Sequence, residues 1–422
     1  MISSKIAKKR SKNQHRGQKT AAITAFPMPG DSDSDARSGF RQCPLTNDEI
    51  ERYGRQMVLG CWGPGAQSRL SQSRVLVIGA GGLGCPAVLY LAGAGVGRIG
   101  VVDHDLVEVS NLHRQVAHRH DRVGTPKAES LRRAALDRNP LVDIRAYCVR
   151  FDADNALDLV SDYDVLVDAT DNVATRYLIN DVGVLTKKPI VCGSALGLEG
   201  QLTVYGWPGS CCYRCVFPVP PPPGAVGDCN SAGVLGPIPG IIGTLQALEV
   251  MKVVAGVGEP LIGRWLLFDG ASMTSRVVRL RGRDPNCAVC GDTPTITSPM
   301  TVTAVSCSTA VREEIEHVTV EEFEKQRSRP GIIILDVRDP HQFEICSLNG
   351  ARNIPLKSLQ ADVKMQQELV EDGRTIYCIC RRGFLSQKAT LCLQRAGVRS
   401  VVNVQGGLTQ WSKAVDPEMP IY

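Results

Sequence analysis

The chain has 422 residues, 43% apolar and 22% charged, enough for two or three domains with their own cores, which excludes a peptide hormone or a wholly disordered chain. Its formal net charge of +5 is uneven: seven Lys and Arg and no acid fall within the first 30 residues, so the remainder is mildly acidic and no direct nucleic-acid binding is expected. Asp, Arg and Gly punctuate every hydrophobic stretch, so no membrane span is expected; sixteen cysteines without an apolar signal segment point to thiol chemistry or metal ligation in the cytoplasm rather than to a secreted disulfide framework.

Residues 1–41 mix Lys, Arg, Ser and Gly and read as a disordered basic tail, although the same cluster would suit a targeting presequence or nuclear entry. From Val75 the pattern is regular. VLVIG predicts a buried strand, GAGGLG a turn, 85–94 a helix and IGVVD a second strand; DVLVDAT and PIVCGSA repeat the strand signature, with helical patterns over 127–138 and 174–186. This alternation predicts an α/β fold with a largely parallel sheet covered on both faces. A proline-rich run interrupts regular structure at 218–224 and a helix resumes over 241–254. The first domain is placed at 42–292, a Thr, Ser and Pro-rich linker at 293–313, and a smaller α/β domain at 314–422, with strands GIIILDVR, TIYCIC and SVVNV. Cys85, Cys148, Cys192 and Cys392 lie in apolar or small-residue runs and are expected to be buried.

The turn Gly79-Ala80-Gly81-Gly82-Leu83-Gly84 lies between a strand and a helix, where missing Cβ atoms let backbone approach phosphates at a helix N-terminus. Asp103 ends the next strand, 24 residues after Gly79, in position to bind ribose hydroxyls. These features alone equally describe an NAD-dependent oxidoreductase with an accessory domain. The polar set downstream separates the two: Ser110, Asn111, Leu112, His113, Arg114, then Lys127, then Asp171 and Asn172. Nucleotidyl transfer needs cations on the phosphates and a carboxylate for Mg²⁺, whereas hydride transfer does not. No GxxxxGK[ST] phosphate loop occurs.

Cys212 and Cys215, and Cys287 and Cys290, form two CxxC pairs with 71 residues between them that together complete a closed zinc site of four cysteines; two unrelated redox or packing pairs are the alternative. Cys229 follows the proline-rich run in a small-residue segment suited to an exposed nucleophile, or to an inert loop cysteine.

RYGRQ at 52–56, GAGGLGCP, SNLHRQ, DATDN and the spaced CxxC pairs resemble the ubiquitin-activating-enzyme superfamily, closest to adenylyltransferases that activate small sulfur carriers, over about 45–291. The resemblance implies a Rossmann-like domain in which Gly82, Asp103, Asn111, Arg114, Lys127 and Asp171 bind ATP and magnesium. It also implies that Arg55 reaches the triphosphate of a neighbouring protomer in a homodimer, that the four cysteines hold a structural Zn²⁺, and that Cys229 forms a thioester or acyl disulfide with the carrier. Position 113 varies in the family, so His113 takes no role beyond lying in the nucleotide-binding stretch.

In the second domain Cys380 ends a strand and precedes a helix, where backbone N–H groups, Arg381 and Arg382 suit a thiolate or persulfide. LDVRDPHQFE, GARNIPL, CRRGFLSQKA and GGLTQW resemble a rhodanese domain; the dual-specificity phosphatase alternative lacks the arginine that would close a CxxxxxR loop. Asp336 and Arg338 are expected to form a structural ion pair.

The fusion resembles the molybdenum cofactor synthesis protein 3 family. It implies adenylation of the C-terminal glycine of a ubiquitin-like sulfur carrier, then sulfur transfer from Cys380 to give a thiocarboxylate, for molybdopterin synthesis, transfer-RNA wobble-uridine thiolation, or both. The implied partners are a ubiquitin-related modifier, the small subunit of molybdopterin synthase and a cysteine desulfurase as sulfur donor. A noncatalytic carrier-binding scaffold is a further alternative.

Overall fold

A computed structural model describes residues 43–221, 233–299 and 315–421. The described residues form two compact units on either side of 300–314. In the first, α1 (Asn47–Met57) and α2 (Gly63–Gln72) precede β1 (Arg74–Ile78), α3 (Gly84–Ala94), β2 (Arg98–Val102), α4 (Lys127–Arg138), β3 (Asp143–Tyr147), α5 (Ala156–Ser161), β4 (Val165–Asp168) and α6 (Val173–Leu185). Then come β5 (Ile190–Leu196), β6 (Glu199–Tyr205), α7 (Tyr213–Val216), α8 (Pro237–Ala255), β7 (Arg264–Asp269) and β8 (Thr274–Arg279). These strands form one eight-stranded sheet in the order β3-β2-β1-β4-β5-β6-β7-β8.

The strands β3 through β5 pair in parallel, as the alternation predicts, and their fully buried VLVI and VLVD segments sit between helices. The expectation of a largely parallel sheet covered on both faces needs correction in the other half. Only Gly197 and Leu198 separate β5 from β6, too few for a crossover, so β5 through β8 run antiparallel and every residue of β8 is exposed. Gly197 takes the positive φ this turn demands.

A second correction concerns apolar length. Among the described residues one helix, α8, is long and apolar enough by composition to cross a membrane. Its residues Ile242, Ala247, Val250 and Val254 instead belong to the core shared with α3 and the sheet. Glu249 on this helix is buried, where it accepts the Leu261 N–H at 2.7 Å and pairs with Lys252. A third correction is Cys148, which lies just beyond the end of β3 and is exposed, and Cys392, which is only half-buried.

The second unit contains β9 (Glu316–Val318), α9 (Val320–Gln326), β10 (Ile332–Asp336), α10 (Pro340–Ile345), β11 (Arg352–Asn353), α11 (Leu356–Ala361), α12 (Val363–Asp372), β12 (Thr375–Ile379), α13 (Phe384–Ala396), β13 (Val401–Val404) and α14 (Gly407–Ala414). Its five strands, all parallel, follow the order β11-β10-β12-β13-β9. Asp336 and Arg338 are both fully buried and paired, with Nε 2.9 Å from the carboxylate; the guanidinium also donates to the carbonyls of Gln342 and Cys346, pinning the chain after β10. Removing one partner leaves an uncompensated buried charge. Arg338→Ala is therefore expected to lower the stability of this unit by about 3–5 kcal/mol, read as a shifted urea midpoint in the full chain.

Candidate functional site

Backbone proximity builds the first site. The chain leaves β1 at Gly79, whose φ is +104° and whose absent Cβ would stand 2.6 Å from the Ala169 carbonyl oxygen. A Cβ on Gly84 would lie 1.9 Å from the Gly79 oxygen, and one on Gly243 of α8 only 2.1 Å from that of Leu83. Gly82 faces Pro239 at the start of α8. The turn is thus compressed between β4 and α8, and the N-terminus of α3 opens above it.

Asp103, just past β2, accepts the Ala80 N–H at 2.7 Å and the Asp105 N–H at 2.8 Å, which ties the glycine turn to the end of the neighbouring strand. Lys127 is buried at the start of α4 rather than solvated, its ammonium 2.8 Å from Asp105. Burial works against the Asp105 carboxylate, but the Lys127 ammonium outweighs it and holds the carboxyl below its ordinary range. Asn111, buried, donates to Glu108 and accepts from Arg114 at 2.9 Å; Arg114 also donates to the Ser110 carbonyl. Leu112 is half-buried, and His113 is exposed with its ring against Arg114; partial burial and that cation lower its basicity. Asp171 and Asn172 are exposed in the turn between β4 and α6, where the Asn172 side chain caps α6 through the Thr175 N–H at 2.8 Å. All these residues stand at the carboxyl ends of the parallel strands, where open α/β sheets bind ligands.

Arg55 is not among them. It is exposed on α1, whose neighbour Gln56 bonds the Ala94 carbonyl at the C-terminal end of α3. The eleven residues of α3 span about 16 Å, so within one chain Arg55 lies at the far end of the helix from the glycine turn. Cys229 falls outside the described residues.

Sequence reasoning missed Arg176. Its guanidinium donates to Asp168 at 3.0 Å and to the Thr170 and Gly193 carbonyls, fastening the turn that carries Asp171 to β5. Val173, Arg176 and Tyr177 share a helix face, a spacing visible in the sequence, and line a cavity of about 370 Å³ beside that turn. Its floor is the sheet face of Cys192, Ser194, Gln201, Thr203 and Trp265, and Pro221 borders it.

The two CxxC pairs converge as expected: sulfur separations are 3.7 Å for Cys212–Cys215, 3.6 Å for Cys212–Cys287 and 3.3 Å for Cys215–Cys290, with all four within 4.8 Å. Four thiolates around a zinc ion at about 2.3 Å would stand about 3.8 Å apart, so the donor set fits. Without a cation, burial and neighbouring sulfurs push Cys212 far up and Cys290 up to about 12. The cluster staples α7 to the segment after β8.

In the second unit Cys380 follows β12, and its sulfur accepts the Gly383 N–H at 3.2 Å and the Ser386 N–H at 3.4 Å, with the Ser386 hydroxyl at 3.3 Å. A second glycine turn supports this loop: the Cys380 carbonyl accepts the Leu408 N–H, and a Cβ on Gly407 would lie 2.2 Å from that oxygen. Cys378 lies two residues deeper in the same core, its thiol pushed up to about 12 by burial.

A ThiF family model matches residues 53–289 and a rhodanese-like domain matches 319–414. A relative from Aedes aegypti named adenylyltransferase and sulfurtransferase MOCS3 is 45% identical over 394 residues, 90% of each chain. One from Zea mays, named adenylyltransferase and sulfurtransferase MOCS3-1, is 45% identical over 397 residues, covering 90% of this chain and 84% of its own. A solved structure of E. coli MccB with MccA-N7isoASN superposes with a TM-score of 0.52 at 24% identity, over 57% of this chain and 74% of that one, and shares the fold of the first unit.

Gly79→Ala would force β4 away from the turn. It is expected to reduce ATP–pyrophosphate exchange by about 100-fold or more while leaving far-ultraviolet circular dichroism unchanged.

Proposed function

This chain belongs to the ThiF family and, within it, to the MOCS3 group of fused adenylyltransferases and sulfurtransferases, and from that premise we propose how its residues divide the reaction. It is an enzyme of both activities. The proposed substrate is a ubiquitin-like sulfur carrier ending in glycine, with a ubiquitin-related modifier and the small subunit of molybdopterin synthase as the two candidates.

A free carboxylate is a poor electrophile, so activation comes first. The carrier's terminal oxygen attacks the α-phosphorus of ATP, forming acyl adenylate and releasing pyrophosphate. Gly82 and the other turn glycines admit the phosphates to the N-terminus of α3, and Asp103 takes the ribose. Ser110, Asn111, Leu112, His113 and Arg114 line the nucleotide, with Arg114 and Lys127 offsetting phosphate charge. Asp171 would hold Mg²⁺, which supplies further charge neutralisation on the phosphates, and Asn172 fixes that turn by capping α6. The cavity floored by β5 to β7 leads to the same turn and is read as the entry of the carrier's tail. The Cys212, Cys215, Cys287 and Cys290 cluster would hold a structural zinc ion, since four thiolates leave no position for water.

The outer sulfur of a Cys380 persulfide, delivered by a cysteine desulfurase, then attacks the activated carbonyl and AMP leaves. The product is an acyl disulfide, Cys380–S–S–CO–carrier. Attack of the Cys229 thiolate on the Cys380 sulfur would expel the carrier thiocarboxylate and leave a Cys229–Cys380 disulfide, which a cellular thiol reduces. The thiocarboxylate serves molybdopterin synthesis, wobble-uridine thiolation of transfer RNA, or both, in the cytoplasm. The observation that carries this reading is the pairing, in one chain, of a glycine turn faced by Arg114 and tied to Asp103 with a cysteine held by loop N–H groups.

Cys380→Ala is expected to retain carrier-dependent pyrophosphate exchange and to lose thiocarboxylate formation, measured by mass spectrometry of the carrier; undiminished thiocarboxylate would overturn the assignment. Arg55 in turn is proposed to complete the partner protomer's site in a homodimer. A heterodimer of one Arg55→Ala and one Lys127→Ala protomer, purified through two tags, should recover about half of wild-type exchange although each mutant homodimer is inactive. An inactive heterodimer would place Arg55 in its own protomer's site.

A further inference from the structure

Cys380 is only 1% exposed, yet the residues just after it are not hidden: Phe384 is 68% and Leu385 40% exposed. These are the first two residues of α13, directly after Gly383, whose φ of +87° turns the loop. Phe384 is the only exposed Phe, Tyr or Trp among the described residues of this unit. Isolated exposed apolar side chains need no explanation, but here two adjacent ones crown the loop that holds the reacting sulfur. Neither is among the groups set against the sulfur, where the Gly383 and Ser386 N–H groups donate and the Ser386 hydroxyl lies at 3.3 Å.

We infer that Phe384 and Leu385 form the docking crest on which the sulfur carrier sits while Cys380 attacks its terminal carbonyl, an inference that rests on the carrier reading above. Reach argues for this occupant. A terminal glycine has no side chain to be recognised, and fully extended it spans about 3.5 Å, so the carrier residues preceding it are drawn onto the rim of a buried Cys380. That rim is the loop of residues 381–385. A carrier surface with apolar side chains next to its tail would cover Phe384 and Leu385 and remove them from water. A small inorganic sulfane donor needs no such contact, which makes the crest a specificity determinant for the transfer step rather than part of the sulfur-holding machinery.

The test compares wild type with the Phe384→Ser/Leu385→Ser variant in the full-length chain. Persulfide loading of Cys380 from thiosulfate and carrier-dependent pyrophosphate exchange are expected to be unchanged. Single-turnover conversion of preformed acyl adenylate to thiocarboxylate should slow about tenfold or more, with recovery in Phe384→Leu. Equal losses in thiosulfate loading and transfer would make the crest part of loop integrity and overturn the inference. So would normal conversion of the adenylate with impaired loading from a protein persulfide, which would assign the crest to the sulfur donor. Absence of pyrophosphate exchange in wild type would instead defeat the carrier reading itself.

Discussion

The β1–α3 turn approaches its neighbours more closely than side chains allow, and the first site depends on that compression. Gly79, Gly84 and Gly243 each put backbone where a Cβ would collide with a carbonyl oxygen, so β1, β4 and α8 meet around one turn. Because they meet there, the carboxyl ends of β2 and β4 bring Asp103 and the Asp171 turn to the mouth of the same helix N-terminus. Arg176 then locks that turn to β5, the strand where the sheet changes from parallel to antiparallel. Strands on both sides of that change of direction, β5 and the antiparallel β6 and β7, form the floor of the adjoining cavity.

The same device recurs in the second unit with a different result. Gly406 and Gly407 let one loop support the Cys380 carbonyl from behind, while Gly383 bends the other so that N–H groups point at the sulfur. The buried Asp336–Arg338 pair holds the neighbouring strand end. A sulfur so enclosed is protected from bulk solvent. Chemistry supplies the order of events: an anionic carboxylate repels an anionic persulfide, whereas an acyl adenylate carries a good leaving group. Two units in one chain therefore perform steps that are useful only in sequence.

Much of this was legible in the residues. The parallel strands announced themselves as short apolar runs, and the helix beginning at Lys127 was placed at its observed start. The CxxC pairs converged although 71 residues lie between them, and Asp336 and Arg338 paired as expected. What escaped was set by tertiary context. Lys127 was singled out for the nucleotide, but its burial and its pairing with Asp105, 22 residues earlier, come from packing that no local pattern shows. β8 carries Arg and Val on both faces, so no periodicity marked it as the exposed edge of an antiparallel half-sheet. Cys148 looked buried because Ala146 and Tyr147 precede it, but the strand ends before its thiol turns inward. Arg176 was readable in principle from its helical spacing to Val173, yet its partners come from β4 and β5.

Oxygen tracing tests the central claim most directly. A carrier whose terminal carboxylate is labelled with ¹⁸O is incubated with the enzyme, ATP and a sulfane donor, and the released nucleotide is analysed by mass spectrometry. If a carboxylate oxygen attacks the α-phosphorus and sulfur then replaces it, AMP carries one ¹⁸O for each thiocarboxylate formed. Unlabelled AMP, or ADP with labelled phosphate, would contradict activation by adenylation.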